Sequence, residues 1–157
     1  SPPSFVDNQL GDASRRAAGG PRYDVDALDP GSGLERFQYS VSTAAAGADA
    51  GVVGWTDIPL AAGTTGFISD WAVDFLGLLG DATNFVSVRA WDRAGSTASL
   101  SDGFFVVKDT AGPRVAILVP AVSSHSVLSV LSGTAADAGG VGGVQVAIQT
   151  APPSGLW

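Results

Sequence analysis

Cysteine is absent from the 157 residues, which excludes a disulfide framework, a zinc finger and thiol chemistry. Methionine is absent as well, so the chain reads as a processed or excised piece. Histidine occurs once, as His125, and lysine once, as Lys108. The seven arginines are scattered apart from the Arg15–Arg16 pair. With no basic patch, nucleic acid is not an expected partner. No apolar run approaches the ~20 residues of a membrane helix, so no membrane span is expected, and no signal-peptide pattern is visible.

What is present points to β structure. Hydrophobic residues make up 45 % of the chain and charged residues 15 %, enough to bury a core. Gly, Pro, Val, Ser, Thr and Ala fill much of the rest, a mixture that favours short strands joined by turns. The net charge is −7, and Glu35 is the only glutamate. Aspartate supplies the remaining acidity, and its short carboxylate bonds readily to neighbouring turn amides. Alternation predicts Tyr23, Val25 and Ala27 facing inward, then Phe37, Tyr39 and Val41. Further strands are expected over 52–58, 83–91 and 104–108, and in the last third over 114–119, 127–135 and 144–150. The stretch 71–79 has apolar residues at helical spacing, but Gly77 and Gly80 interrupt it. A strand and turn are expected there.

The chain also resembles itself. The segment from Ala27 through Asp29, Gly31, Gly33, Phe37, Gln38 and Val41 to Thr43 matches one running from Ala135 through Asp137, Gly139, Gln145 and Ile148 to Thr150. One loop residue is missing from the second copy. Carried further, the match sets Trp55 against Trp157, so the second copy is expected to stop about halfway.

Three short motifs resemble those of bacterial immunoglobulin-like and fibronectin type III-like repeats. Asn84-Phe85-Val86-Ser87-Val88-Arg89-Ala90-Trp91-Asp92-Arg93-Ala94-Gly95-Ser96 is similar to their VRAxDxAGN strand and turn, with Ser96 where the family often has Asn. Lys108-Asp109-Thr110-Ala111-Gly112-Pro113 is similar to their D-T-x-x-P junction, and Asp29 to Leu34 to their DxxSGL turn. The resemblance implies an all-β, immunoglobulin-like (fibronectin type III-like) β-sandwich over residues 1–109. A linker would follow over 110–113, then the N-terminal half of a second repeat over 114–157. It also implies an extracellular or cell-surface setting, with neighbouring repeats or identical subunits as partners.

Few residues suggest chemistry. Catalysis needs a nucleophile, a base and a group to orient it. His125 stands in a polar Ser123-Ser124-His125-Ser126 turn, and no G-x-S-x-G elbow exists. Asp24 and Asp26 lie two apart on an outward strand face, an arrangement of solvated carboxylates rather than of a glycosidase pair. No enzyme is expected. Ca²⁺ is the one candidate cofactor: Asp24, Asp26 and Asp29 are candidate ligands at one end, joined by carbonyls of Gly31 or Ser32. Asp92 and Asp109 are candidates at the junction. Trp55, Trp71 and Trp91 are candidates for a carbohydrate platform. Val144, Val146 and Ile148 form a candidate assembly edge, open to strand addition by a neighbouring chain. The expected function is spacing, adhesion or homotypic assembly. A carbohydrate- or Ca²⁺-binding accessory module and a filament subunit completed by strand exchange are the alternatives.

Overall fold

The structure is a computed structural model that describes residues 1–9, 11–45, 51–121 and 127–148. His125, Gln149, Thr150 and Trp157 lie outside the described residues. The fold is all-β: ten strands are present among the described residues, and no helix among them is long and apolar enough to cross a membrane. The chain divides into two compact units, Ser1–Thr110 and Ala111–Trp157.

In the first unit, β1 (Ser4–Asp7), β3 (Val25–Leu28) and β6 (Gly66–Phe67) form a three-stranded antiparallel sheet in the order β1-β3-β6. A five-stranded sheet has the order β2-β8-β7-β4-β5. Its members are β2 (Asp12–Arg16), β4 (Leu34–Ser42), β5 (Val53–Ile58), β7 (Ala82–Asp92) and β8 (Thr97–Lys108). All its pairings are antiparallel except β2 with β8, which run parallel.

The inward residues are the ones that alternation predicts. Tyr23, Val25 and Ala27, then Phe37, Tyr39 and Val41, then Val86, Val88 and Ala90 are all buried. With Phe104 and Val106 from β8 they join a single core cluster. Burying each large apolar side chain contributes roughly 1.5–3 kcal/mol. Both sheets reach this core, because Phe5 of β1 and Phe67 of β6 pack on Phe37 of β4, at ring distances of 6.2 and 5.4 Å.

Trp71 occupies the centre. Its ring lies 5.3 Å from Tyr39, 5.8 Å from Phe104 and 6.1 Å from Phe37. Its backbone forms an isolated bridge with Tyr23, and its indole N–H donates to the Val25 carbonyl at 3.2 Å. The apolar body therefore fills the core while the one polar atom is satisfied.

The stretch expected to be a strand and turn after Trp71 is a series of turns. Phe75 and Leu78 point inward, and Asn84 ties the segment down. The Asn84 amide accepts from Leu79 N–H at 2.9 Å and donates to the Leu79 and Ala82 carbonyls at 3.0 and 3.2 Å. Turn bonding to a single side chain replaces the ladder that a strand would have needed.

Three strands, β1, β2 and β6, were not expected from the sequence. The last long strand also begins at Thr97, well before the expected 104. Asp102-Gly103 sits inside β8, where the β7–β8 register shifts and Asp102 adopts φ 49°. A bulge, not a chain reversal, uses these residues.

The second unit contains β9 (Arg114–Val119) paired antiparallel with β10 (Ser132–Ala136). The strand expected over 127–135 is thus shorter and shifted. The expected strand over 144–150 is absent from its described part, 144–148, which makes no ladder. No described residue of this unit is buried. Val115, Ile117, Leu131, Val144 and Val146 instead line an open groove of about 560 Å³.

These contacts give two stability predictions. Trp71→Ala is expected to cost the first unit about 3–5 kcal/mol, read as a lower denaturant midpoint. Tyr23→Phe is expected to cost nothing or to stabilise, because the buried Tyr23 hydroxyl has no hydrogen-bond partner. A marked loss of stability in Tyr23→Phe would show that the hydroxyl is held after all.

Candidate functional site

Alternation that buries one face of a sheet exposes the other. The neighbours Phe37, Tyr39, Ile58, Val88 and Ala90 point into the core. Arg36 and Gln38 of β4, Trp55 and Asp57 of β5, and Arg89 and Trp91 of β7 consequently share the outer face. Register sets Gln38 between Asp57 and Arg89, and Arg36 beside Trp91.

Their side chains form a continuous chain of contacts. Arg36 donates to Asp57 through Nε at 2.6 Å and Nη2 at 3.3 Å. The Gln38 amide donates to the same carboxylate at 2.8 Å and accepts from Arg89 Nε at 2.9 Å. The Arg89 guanidinium lies 4.0 Å from the Trp55 ring centre and 4.6 Å from that of Trp91. Arg36 lies 5.6 Å from the Trp91 ring. Gln38 is 2 % exposed despite its outward direction, since the guanidinium and rings cover it.

Charge follows this geometry. The Arg36 guanidinium, then the Gln38 amide, hold the Asp57 carboxyl below the usual carboxylate range. Arg89 is the reverse case: partial desolvation, then repulsion from Arg36, lower its proton affinity. Arg89 remains charged at any physiological pH. Stacking on two indoles compensates part of its lost hydration.

The expected tryptophan platform is therefore divided. Trp55, 40 % exposed, and the half-buried Trp91 flank Arg89 on the outer face. Trp71 is 5 % exposed inside the core and has no face to offer a ligand. Correction of that assignment follows from its bridge to Tyr23, a contact between residues distant in sequence.

The five aspartates are not gathered as expected for Ca²⁺. Strand β3 separates Asp24 at its start from Asp29 beyond its end. Asp24 and Asp26 both accept from the Asn8 amide, at 3.1 and 3.2 Å. Asp29 accepts from Gly31 N–H at 3.0 Å and from the Ser32 hydroxyl at 2.8 Å. Its loop thus presents donors where a cation would need carbonyl oxygens.

Asp92 closes its own turn, accepting from Ser96 N–H at 2.7 Å. Asp109 is buried beyond the opposite end of β7, its N–H donating to the Arg16 carbonyl at 2.9 Å. The eleven-residue length of β7 puts roughly 30 Å between Asp92 and Asp109. Among the described residues, no three His, Asp or Glu side chains are placed to hold one metal ion.

The candidate assembly residues Val144, Val146 and Ile148 are 66, 65 and 79 % exposed. Val144 and Val146 contribute to the groove of the second unit.

Two aspartates carry opposite electrostatic loads. Burial, then the charges of Asp24 and Asp70, raise the Asp26 carboxyl above its usual range, and its Oδ1 has no hydrogen-bond partner. At Asp92, burial pushes upward, but the polar groups of its turn, the Ser96 N–H first among them, outweigh it and leave the carboxyl below the usual range.

A raised acid weakens the fold when ionised, whereas a lowered acid contributes stability that is lost as pH falls through its folded value. Asp26→Asn is thus expected to raise the melting temperature at pH 7, the gain fading as acid protonates Asp26 in the parent. Asp92→Asn is expected to lower it at pH 7, the loss fading below about pH 4, the ordinary carboxylate value. Thermal melts from pH 7 to pH 3 check both signs; parallel responses of the two variants would contradict this assignment.

Comparison of the chain with protein-family models, with curated proteins and with solved structures returns no match.

Proposed function

We propose that this chain is a non-catalytic structural and interaction module: tandem immunoglobulin-like or fibronectin type III-like repeats of a secreted or surface-displayed bacterial protein. Its task on this reading is spacing, adhesion or homotypic assembly.

The observation that carries the reading is a local plan common to both units. In the first, β1 pairs antiparallel with β3, and Ser4, the residue after Pro3, faces Leu28. Asp29 follows and accepts from Gly31 N–H, and Gly33 then turns the chain with φ 81°. In the second, β9 pairs antiparallel with β10, and Arg114, the residue after Pro113, faces Ala136. Asp137 follows and accepts from Gly139 N–H at 2.7 Å, and Gly140 turns the chain with φ 93°.

Glycine suits that turn because a side chain at positive φ is strained. At Gly33 a Cβ would also sit 3.1 Å from the Thr64 carbonyl. The strand orders β1-β3-β6 and β2-β8-β7-β4-β5, sharing one core, further support the two-sheet immunoglobulin-like reading of the first unit. The non-catalytic part of the proposal is supported by the aspartates: Asp29 and Asp92 accept from turn N–H groups, and Asp24 and Asp26 accept from Asn8.

Assembly by strand exchange is a second reading, favoured by the groove of the second unit. Its walls are apolar, and its segment 144–148 has no ladder partner among the described residues. Exposed apolar surface and unpaired backbone both favour recruitment of another strand.

Sedimentation velocity across a concentration series tests it. Association that grows with concentration and weakens in Val146→Lys is the expected outcome. A strict monomer with a protease-resistant second unit would contradict strand exchange.

A further inference from the structure

The outer face of the five-stranded sheet holds a cation against two indoles. Arg16 pairs with Asp12 at 2.9 Å, Arg36 with Asp57, and Arg93 approaches Glu35 at 3.9 Å. Lys108 donates to the Leu76 and Leu78 carbonyls, and Arg22 to that of Asp70. Arg89, like Arg15, Arg22, Lys108 and Arg114, pairs with no carboxylate among the described residues, and of these cations it is the one that lies over indole rings. Among the described residues only its Nε is hydrogen-bonded, to Gln38, so both terminal nitrogens keep their donors unmatched there.

Position and rigidity make that vacancy useful. The guanidinium lies over both indoles, and its Nε donates to an amide that itself donates to Asp57. Neither Arg89 Nη atom is among the buried unpartnered atoms, so solvent reaches them. Among the described residues the Trp55 and Trp91 indole N–H groups likewise have no acceptor, and solvent reaches Trp91 Nε1. A rigid surface thus presents a planar fork and two further donors, with one indole 40 % exposed beside them.

A matching ligand is rich in oxygen acceptors, carries a carboxylate for the fork, and has a flat apolar face for the ring. We propose that Trp55, Arg89 and Trp91 form a binding site for the uronic-acid units of an acidic polysaccharide. The carboxylate is received by the Arg89 Nη atoms, and the pyranose lies against Trp55. A peptide carboxylate meets the charge requirement, but it brings neither a stacking ring nor ring hydroxyls for the indole N–H donors. The inference is independent of the repeat reading, because it rests on the outer face of the first unit alone.

Intrinsic tryptophan fluorescence and calorimetry of the full chain with a galacturonate hexamer test the proposal. The controls are a neutral hexose hexamer, a glutamate hexapeptide and sodium acetate. Saturable binding of the uronate oligomer is expected, weakening as salt is added. The neutral oligomer is expected to bind about tenfold more weakly or less, for want of the charge-assisted bonds. Arg89→Lys keeps the charge but removes the fork and is expected to weaken uronate binding about tenfold. Trp55→Ala, at an exposed position on an edge strand, provides a second variant with the same expected direction should Arg89→Lys fail to fold.

Equal binding of the neutral oligomer, binding confined to the glutamate peptide or acetate, unchanged affinity in a folded variant, or no uronate binding would each overturn the site. Thermal melts of the same variants separate loss of binding from loss of fold.

Discussion

The burial of Trp71 is the contact on which the first unit depends. Its backbone bridges to Tyr23 at the start of the three-stranded sheet, and its ring meets Phe37, Tyr39 and Phe104 of the five-stranded sheet. A single residue from a turn-rich segment therefore ties both layers together. Its indole N–H reaches the Val25 carbonyl, so the largest side chain of the core leaves no polar atom unmatched. The turn that follows is held by Asn84, and β7 starts from the same place. Core and outer face then share one cause, because fixing Val86, Val88 and Ala90 inward fixes Arg89 and Trp91 outward.

The two units illustrate opposite solutions to burial. The first closes its core with residues from both sheets. The second has the initial antiparallel pair and the Asp–Gly turn, but its apolar residues meet water. Ordering a strand costs conformational entropy that hydrophobic burial must offset, and nothing described in the second unit supplies that burial. Stability is consequently expected to be distributed unevenly along the chain, with the apolar groove as the surface most in need of a partner.

Much of the β architecture was legible because alternation with period two states directly which residues face inward. Tyr23 to Ala27, Phe37 to Val41 and Val86 to Ala90 are clear examples. The strands without a sequence signal are short or lack alternation: Gly66–Phe67 has two residues, and Asp12–Arg16 has Ala13 as its one apolar residue. The site was only partly readable. Outward placement of Arg36 and Gln38 follows from local pattern, but that of Trp55 and its meeting with Arg89 require the β4–β5 and β4–β7 registers. The core role of Trp71 likewise depends on a partner 48 positions away, Tyr23. For the aspartates, composition suggests a cation or a turn, and at Asp29 and Asp92 the carboxylates accept from turn donors.

Amide hydrogen exchange on the full chain tests the central claim most directly, that a closed two-sheet unit precedes an open unit built on the same opening plan. Amides of β4 and β7 are predicted to exchange only on global unfolding of the first unit, while those of β9 and β10 exchange far faster at low protein concentration. Equal, strong protection of both units in the monomer would contradict the account.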